Sequence, residues 1–170
     1  MASTPSSSSK HLIIDGYNII YAWPDLAKIL REDGPDRARD QLAQRIRVIH
    51  DIESLRTTLV FDGQGKEIQI TRPTKELSFS LVFSPARTSA DGIIEQLVAN
   101  SKKPADVTVA TGDRALETLI SKSGCYVLTP QALLDWIIRC QNTQIELLNK
   151  TKKKALTTWK HIINPWDKIN

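Results

Sequence analysis

The sequence predicts an α/β domain of three layers, in which helices cover both faces of a central, mainly parallel sheet. Two observations support this prediction. Short apolar runs alternate with longer helical patterns along the chain, and the 170 residues are 41% hydrophobic and 25% charged, which suits one domain. Strand and helix in alternation imply right-handed crossovers and parallel neighbours. Wholesale disorder is excluded, because a chain this apolar can bury enough surface to offset the entropy of ordering.

Short apolar or β-branched runs give five predicted strands. These strands span residues 11–14, 57–61, 79–83, 107–110 and 125–128. Near-continuous apolar sequence, as at residues 59–61, is typical of strands buried on both faces. Residues 63–77 show no clear period and are predicted to form a surface loop or a short hairpin. Lys66, Arg72 and Lys75 in this stretch could face an anionic substrate.

Helical spacing of apolar residues gives four predicted helices. These helices span residues 36–53, 90–100, 114–122 and about 130–148. The first is marked by Ala38, Leu42 and three isoleucines at helical spacing, and it begins after Pro35. Thr129 followed by Pro130 has the residue types of an N-cap and a first helical position.

Charge and composition divide the chain into three segments. Residues 1–9 read as a flexible, serine-rich leader, residues 10–148 as the folded domain, and residues 149–170 as a basic extension. Residues 1–148 hold 17 Lys and Arg against 18 Asp and Glu, a net charge of −1, whereas the extension holds six lysines against Asp167, a net charge of +5. With Trp159 and Trp166 among its lysines, the extension could bind a polyanion. The alternative is a solvated helix.

The remaining composition indicates a cytoplasmic protein that does not enter a membrane. No apolar run approaches the roughly 18 residues of a membrane span, and the N-terminus lacks the apolar core of a signal peptide. Cys125 and Cys140 are the two cysteines. They cannot make a disulfide framework or a four-cysteine zinc site, and they suit a reducing compartment.

Aspartates follow the central predicted strands. Asp15, Asp62 and Asp113 stand at strand ends, and Asp91 opens the helix after the strand at 79–83. Parallel strands end along one edge, which is where open α/β folds bind ligands, so four acids are expected to converge there. Each has an alternative: turns for Asp15 and Asp62, a helix cap for Asp113, and for Asp91 a capping box that begins at Thr88.

Clustered carboxylates repel one another unless cations compensate their charge. Oxygen ligands without a nearby histidine or cysteine favour Mg²⁺ or Mn²⁺ over zinc. Such a site suits phosphate chemistry, in which the metal generates hydroxide and stabilises the leaving oxygen. A hydrolytic nuclease is therefore the leading hypothesis.

Several segments, in order over about residues 11–140, carry a family resemblance. The most specific is Asp15-Gly16-Tyr17-Asn18, and later ones include Val60-Phe61-Asp62, Ser89-Ala90-Asp91-Gly92 and Ala110-Thr111-Gly112-Asp113. Together they resemble the YacP-like branch of the NYN domains, which are PIN-like, metal-dependent ribonucleases. The resemblance implies that RNA is the substrate and that Mg²⁺ or Mn²⁺ is the cofactor.

The resemblance also implies roles for individual residues. Asp15, Asp91 and Asp113 would bind the metal, and Asp62 would complete or flank the acidic cluster. Asn18 would hold a metal-bound water or a phosphate oxygen, the alternative being a hydrogen bond within its own turn.

Other positions are open to two interpretations. Asp40 matches a polar position of the family, or it is a solvated partner of Arg37 or Gln44. Arg114 contacts phosphate or is simply exposed. The aromatic rings at 17 and 23 stack a base or pack against the first helix. Gly112 stands where relatives often have serine, which removes a hydroxyl donor beside the site.

Rival mechanisms have less support in the sequence. His11, His50 and His161 fall in unrelated segments, so an acid–base pair of imidazoles is not expected. A phosphoacceptor receiver domain needs paired acids after its first strand, but Gly16 and Tyr17 follow Asp15. No glycine-rich phosphate loop is present. The alternative that stays open is a catalytically weak RNA-binding module of the same fold.

Overall fold

The computed structural model describes residues 10–163, with side chains described through residue 158. The predicted leader at residues 1–9 lies outside the described residues, as does Trp166. The side chains of Trp159, Lys160 and His161 are likewise outside the described part.

Within residues 10–163, six strands form one sheet. They are β1 (His11–Asp15), β2 (Arg56–Gly65), β3 (Gln69–Thr71), β4 (Phe79–Pro85), β5 (Val107–Ala110) and β6 (Tyr126–Leu128). The order across the sheet is β3-β4-β2-β1-β5-β6. All neighbours are parallel except β3 and β4, which are antiparallel. The mainly parallel sheet is therefore confirmed, and the stretch predicted as a loop or a hairpin contains the short edge strand β3.

The described part of the chain also contains six α-helices and one 3₁₀ turn. The helices are α1 (Gly16–Ala22), α2 (Pro24–Glu32), α3 (Pro35–Glu53), α4 (Ala90–Ala99), α5 (Arg114–Ser121) and α6 (Pro130–Ile163), and the 3₁₀ turn spans Pro104–Asp106. Helices α3, α4 and α5 lie within a residue of their predicted bounds. Helices α1 and α2 were not predicted, and α6 continues beyond the predicted end near residue 148.

The helices cover both faces of the sheet, which confirms the three-layer arrangement. Alternate residues of β1 point to opposite faces, so Leu12 and Ile14 join one apolar cluster while Ile13 joins the other. Helices α1, α2, α3 and the first turns of α6 pack on the first face. Helices α4 and α5 pack on the second.

Helix α3 shows how the sequence sets an element. It begins at Pro35 after Gly34, whose φ of +90° favours glycine, and it buries Ala38, Leu42 and Ile46 at helical spacing. It runs from the carboxyl edge of the sheet back to the amino edge, as a right-handed crossover from β1 to β2 requires.

Helix α6 begins as predicted: Thr129 Oγ1 accepts a hydrogen bond from the Ala132 amide at 3.1 Å. Leu133, Ile137 and Cys140 anchor its first turns in the core. From residue 141 to residue 158 every described residue is exposed. The proposed division at residue 148 therefore falls within one continuous helix. None of the described helices is both long enough and apolar enough to cross a bilayer.

Candidate active site

The site lies at the carboxyl edge of the sheet, where β1 and β5 are neighbours. The chain leaves β1 toward β2 on one side and leaves β5 toward β6 on the other. Diverging connections open a crevice between the two strands, and this is where α/β folds place ligands. The four predicted aspartates stand around this crevice and are called the acidic rim: Asp15, Asp62, Asp91 and Asp113.

Asp15 is the deepest member of the rim, with 6% of its surface exposed. Its Oδ2 accepts a hydrogen bond from Thr111 Oγ1 at 2.9 Å. The pKa of Asp15 is raised to about 6, chiefly by burial and also by the negative charges of Asp91 and Asp62, while the Thr111 hydroxyl and the backbone amide of Asn18 act in the opposite direction. The environment of Asp15 therefore destabilises the charged form of its carboxylate.

Thr111 connects two members of the rim. Its hydroxyl donates to Asp15 and also accepts a hydrogen bond from the Asp113 amide at 3.1 Å. Asp113 Oδ1 in turn accepts from the Ala115 amide at 2.7 Å and caps α5. The predicted capping role of Asp113 is thus real, but it uses one carboxylate oxygen and leaves Oδ2 for another ligand.

Asp62 and Asp91 face each other across the start of α4. Asp62 Oδ1 accepts from the Ala90 amide at 2.8 Å and so ties the end of β2 to this helix. The cap of α4 is Ser89, which accepts from the Gly92 amide at 3.2 Å. The alternative capping box from Thr88 to Asp91 is therefore wrong, and the Asp91 carboxylate makes no hydrogen bond or ion pair with any described residue.

The pKa of Asp91 is raised, first by partial burial and then by the charges of Asp113, Asp62 and Glu95. Asp62 also acts on Asp15, as does Asp91 itself, so Asp15 and Asp91 each respond to other acids of the rim. The carboxylates are thus near enough at the carboxyl edge to repel one another.

The Asn18 side chain forms a hydrogen bond across the crevice, from α1 to the segment after β5. Its Oδ1 accepts a hydrogen bond from the Gly112 amide at 2.6 Å, so the alternative of a bond within its own turn is wrong. The contact leaves the side-chain NH₂ of Asn18 as a donor for a ligand. A Cβ at residue 112 would lie 3.1 Å from Asn18 Oδ1 and 3.2 Å from Pro130 Cγ, which explains why glycine suits this close approach.

Three neighbouring residues, Trp23, Tyr17 and Arg114, each had two possible roles, and their surroundings differ. Trp23 is buried, and its Nε1 donates to the Pro130 carbonyl at 3.2 Å, which fits packing. Tyr17 is half-buried against Phe61, and its hydroxyl accepts from Arg39 at 2.7 Å. Arg114 is exposed at the start of α5.

The remaining polar candidates lie elsewhere. No hydrogen bond or ion pair joins Asp40 to any described residue, so the expected pairing with Arg37 or Gln44 is absent there. His11 bonds Thr58 at the amino edge, and burial, followed by the charge of Arg56, lowers its pKa to about 4.

The rim offers oxygen ligands alone, which suits Mg²⁺ or Mn²⁺. Within the described part of the chain, however, no three of its carboxylates bring one oxygen each within 4.8 Å of one another. Mg²⁺ commonly keeps several waters and takes one or two carboxylates together with substrate phosphates. The donor set therefore fits such an ion when water and phosphate complete its coordination, and it does not form a closed protein cage.

A different group meets the 4.8 Å condition, at the opposite edge of the sheet. His50, Asp51 and Glu76 bring ligand atoms together there. Arg47 already neutralises both acids, with Nη2 at 2.9 Å from Glu76 and Nε at 3.5 Å from Asp51. His50 is engaged on both ring nitrogens, by Asp51 and by Ser78, at 2.9 Å each. This group is a structural network at the amino edge, distinct from the rim, and among its described atoms Arg47 Nη1 is buried without a hydrogen bond.

The three-layer fold and the acidic rim at its switch point define a domain of the PIN-like nuclease class. The model of the YacP-like NYN domain matches residues 12–168, and the chain belongs to that family. The match includes most of the basic extension, which lies beyond the stretch of about residues 11–140 that carries the resemblance.

The sequence and two crystal structures of YacP from Bacillus subtilis illustrate the relationship. The chain is 32% identical over 127 residues to the uncharacterized protein YacP of strain 168, covering 72% of each chain. The crystal structure of a tryptophan-to-leucine mutant of Rae1 (YacP) superposes with a TM-score of 0.70 at 27% identity, covering 85% of this chain and 84% of that one. A second Rae1 (YacP) structure, at 24% identity with a TM-score of 0.68 and 92% coverage of both chains, shows the same fold.

Proposed function

We propose that this protein is a metal-dependent ribonuclease that hydrolyses RNA phosphodiester bonds at the acidic rim, with Mg²⁺ or Mn²⁺ as cofactor. The observation that carries the proposal is the convergence of four aspartates from β1, β2, α4 and the β5–α5 junction on one crevice, where burial and then the neighbouring carboxylates raise the pKa of Asp15 and of Asp91. A divalent ion bound there would activate water and stabilise the leaving oxygen. Membership of the family supports RNA as the substrate.

The four carboxylates of the rim differ in how firmly hydrogen bonds hold them, and this difference suggests a separate role for each. Asp15 is fixed by Thr111 and deeply buried, so it suits an anchor for a cation. Asp62 and Asp113 each have one oxygen engaged by backbone amides and the other available. Asp91 has no such restraint among the described residues and is the member free to reorient toward a cation or a proton. The Asn18 amide faces the same crevice as a donor for a phosphate oxygen.

Purified protein should cleave single-stranded RNA when Mn²⁺ or Mg²⁺ is supplied and stop when EDTA is added. Asp15→Asn and Asp91→Asn should each lower the rate by at least about 100-fold, because each removes a charge from the metal site. Both variants should retain the wild-type circular dichroism spectrum. Asp135→Asn is the matched control, because Asp135 is exposed on α6 and bonds only Gln131.

One observation favours a second candidate, a catalytically weak RNA-binding module. No three carboxylates of the rim stand close enough to share an ion without water or phosphate, as far as the described residues show. The two functions are separated by the same assay. If the wild type and both variants bind RNA equally and none cleaves with either ion, the binding module is correct and the ribonuclease proposal fails.

A further inference from the structure

A cationic side chain lies beside the acidic rim, on the face of the sheet that α3 covers. The guanidinium carbon of Arg39 lies 5.2 Å from the ring centroid of Phe83 and 6.0 Å from that of Phe61. Phe61 directly precedes Asp62 of the rim, and Phe83 is its partner on β4 in the sheet register. Arg39 therefore stands at the carboxyl ends of β2 and β4, next to the rim.

The described contacts fix Arg39 and leave some of its donors available. Its Nη1 donates to the Tyr17 hydroxyl at 2.7 Å, and its Nη2 pairs with Asp36 one turn earlier in α3. The Asp36 side chain is 91% exposed, and an exposed ion pair of this kind contributes little. A guanidinium carries five N–H donors, of which the described hydrogen bonds use two. An anion can therefore bind Arg39 directly or replace Asp36.

The Tyr17 hydroxyl is a second donor at the same place. Because it accepts the hydrogen bond from Arg39, its own O–H can donate to another group. The Tyr17 ring is held edge-on against Phe61 at 5.3 Å, two residues after Asp15 of the rim. Hydrogen bonds from a guanidinium to phosphate oxygens are among the strong ones in proteins. A guanidinium and a hydroxyl held side by side therefore match a phosphate group.

Two other arginines at the carboxyl edge lack this support. Arg87 precedes α4 and Arg114 opens α5, and both are exposed. Within the described residues, no hydrogen bond or ion pair orients either side chain. Ordering a side chain on binding costs free energy, and the contacts of Arg39 reduce that cost. Arg39 is therefore better positioned than either of them to hold a phosphate.

An exposed aromatic ring adjoins these two donors. Tyr21 lies one turn after Tyr17 in α1, with the ring centroids 6.5 Å apart and the ring planes tilted by 37°. Tyr21 is 69% exposed, so its ring contributes little to the core. Proteins that bind single strands combine basic groups along the backbone with aromatic rings on which the bases stack. Tyr21 supplies such a ring beside Arg39.

We propose that Arg39, Tyr17 and Tyr21 bind a nucleotide next to the scissile bond of a single-stranded RNA. Arg39 and the Tyr17 hydroxyl donate to its phosphate, and Tyr21 stacks on its base. The proposal rests on the proposed function and adds how the substrate is positioned. Because stacking accepts every base, this site holds the strand without selecting its sequence.

The sheet sets the distance between this site and the rim. Strand β2 is the neighbour of β1, which ends at Asp15, and β4 follows β2. Adjacent strands are about 4.8 Å apart, so a phosphate held over the ends of β2 and β4 lies about 5 to 10 Å to the side of Asp15. It is therefore a neighbour of the phosphate that is cut, and not that phosphate itself.

Binding in EDTA tests the proposal without cleavage. The probe is a short oligouridine, and its affinity for the full chain is measured by fluorescence anisotropy over a series of salt concentrations. Arg39→Gln should weaken binding by about 10-fold and reduce the slope of log affinity against log salt by about 0.7, the value for one phosphate of a single strand. Arg37→Gln is the matched control, because Arg37 is exposed on the same helix, and it should retain the wild-type affinity and slope.

Two further variants separate binding from a loss of structure. Tyr17→Phe keeps the ring and removes only the hydroxyl, so it should weaken binding by about 10-fold while the salt slope stays unchanged. Asp36→Asn removes the carboxylate that competes for Arg39. This variant should bind the oligouridine tighter by about 2- to 5-fold, a gain that damage to the fold would not produce.

The stacking contact is tested with a second pair of variants. Tyr21→Leu should weaken the binding of oligouridine and of oligoadenosine, each by about 10-fold. Tyr126→Leu is the control, because Tyr126 is also exposed, at 65%, but lies on the edge strand β6. It should leave both affinities unchanged.

Wild-type affinity and salt slope in Arg39→Gln would overturn the proposal, as would equal losses in Arg39→Gln and Arg37→Gln. The outcome in EDTA does not depend on cleavage. If the variants lose affinity as expected but the wild type does not cut RNA with Mn²⁺, the ribonuclease proposal fails and the binding site stands. If the wild type cuts RNA while every variant binds normally, only the binding site is refuted.

Discussion

Asp15 combines the largest burial in the acidic rim with a charge that nothing in the described part of the chain neutralises. Burial is the main cause of its raised pKa, and the other acids add to it. The Thr111 hydroxyl limits the shift because it stabilises the carboxylate. The charged Asp15 carboxylate therefore destabilises the metal-free protein at neutral pH, and a bound cation would stabilise it more than any other carboxylate of the rim.

This feature predicts a pH-dependent stability. The pKa of Asp15 is about 6 in the folded chain and about 3.9 when unfolded, so the folded state binds more protons between these values. The free energy of unfolding should therefore fall as the pH rises from about 4 to about 6. In EDTA, Asp15→Asn should be more stable than the wild type at pH 7 by about 2 to 3 kcal/mol, with a much smaller difference at pH 4.

Urea denaturation across this pH range measures the effect. Asp135→Asn should follow the wild-type curve, since its carboxylate is exposed. Parallel curves for the wild type and Asp15→Asn would show that Asp15 has an ordinary pKa, contrary to the expectation.

The sequence predicts the aspartates of the site and misses the residues that hold them. Strand ends align in a parallel sheet, so Asp15, Asp62 and Asp113 could be placed together from local pattern alone. Thr111 could not be recognised, because its role depends on contact between β1 and β5. Its only signal was a hydroxyl residue directly after a buried strand. The Asn18 contact with the Gly112 amide depends on the same pairing.

At the scale of elements, the β1–α1 junction has no room for a larger residue. A Cβ at Gly16 would lie 2.2 Å from Phe61 Cε1. That ring cannot withdraw easily, because it packs edge-on against Tyr17 at 5.3 Å and stacks on Phe83 at 5.6 Å. Gly16 therefore permits α1 to start directly on the sheet, which sets the position of Asn18.

Gly16→Ala should lower the free energy of unfolding by about 1 to 3 kcal/mol, as overpacking of a well-packed core does, even though alanine is the better helix former. Chemical denaturation measures the change. Gly65→Ala is the control, because the nearest atom to its Cβ is the mobile end of the Gln69 side chain at 3.2 Å. Equal losses in both variants would mean that contact with Phe61 is not the cause.

The elements that escaped prediction have weak local signals. Helix α1 is seven residues long, and α2 buries only Leu26. Trp23 and Pro24 interrupt the period between them, so the segment after Asp15 resembles a series of turns. Helix α6 extends beyond its predicted end near residue 148. The apolar period on which the prediction depended weakens after Cys140, where the helix leaves the core, but the sequence has no glycine or proline from residue 131 to residue 164 to end the helix. Strands with long apolar runs were placed within a few residues.

At the scale of the whole molecule, the negative charge of the rim and the positive charge of the extension lie at opposite ends. Lysines 150, 152, 153 and 154 are exposed on α6. The other end of the described helix begins beside the rim, where Pro130 approaches Gly112. Positive charge remote from an acidic site is useful if it attracts the polyanion that the site must otherwise repel.

Removal of residues 150–170 should therefore weaken RNA binding and reduce its salt dependence. The slope of log affinity against log salt should fall by about 0.7 for each phosphate of a single strand that the extension no longer neutralises. The fold should persist, since every described residue from 150 to 158 is exposed. Replacing the four lysines by glutamine removes their charge and keeps the length of the helix. This variant should show the same reduced salt dependence of RNA binding as the truncation. Unchanged affinity in both variants would identify the extension as a solvated helix.

The continuity of α6 joins the exposed lysines to the wall of the site through a single element. About 16 Å of the helix, residues 130–140, lies against the domain, and about 34 Å, residues 141–163, continues beyond the last buried turn. Its first turn at Pro130 stands beside Gly112, and its buried turns at Leu133 and Ile137 fix the direction in which the rest of the helix leaves the domain. The packing of those two side chains therefore determines where the lysines stand relative to the crevice.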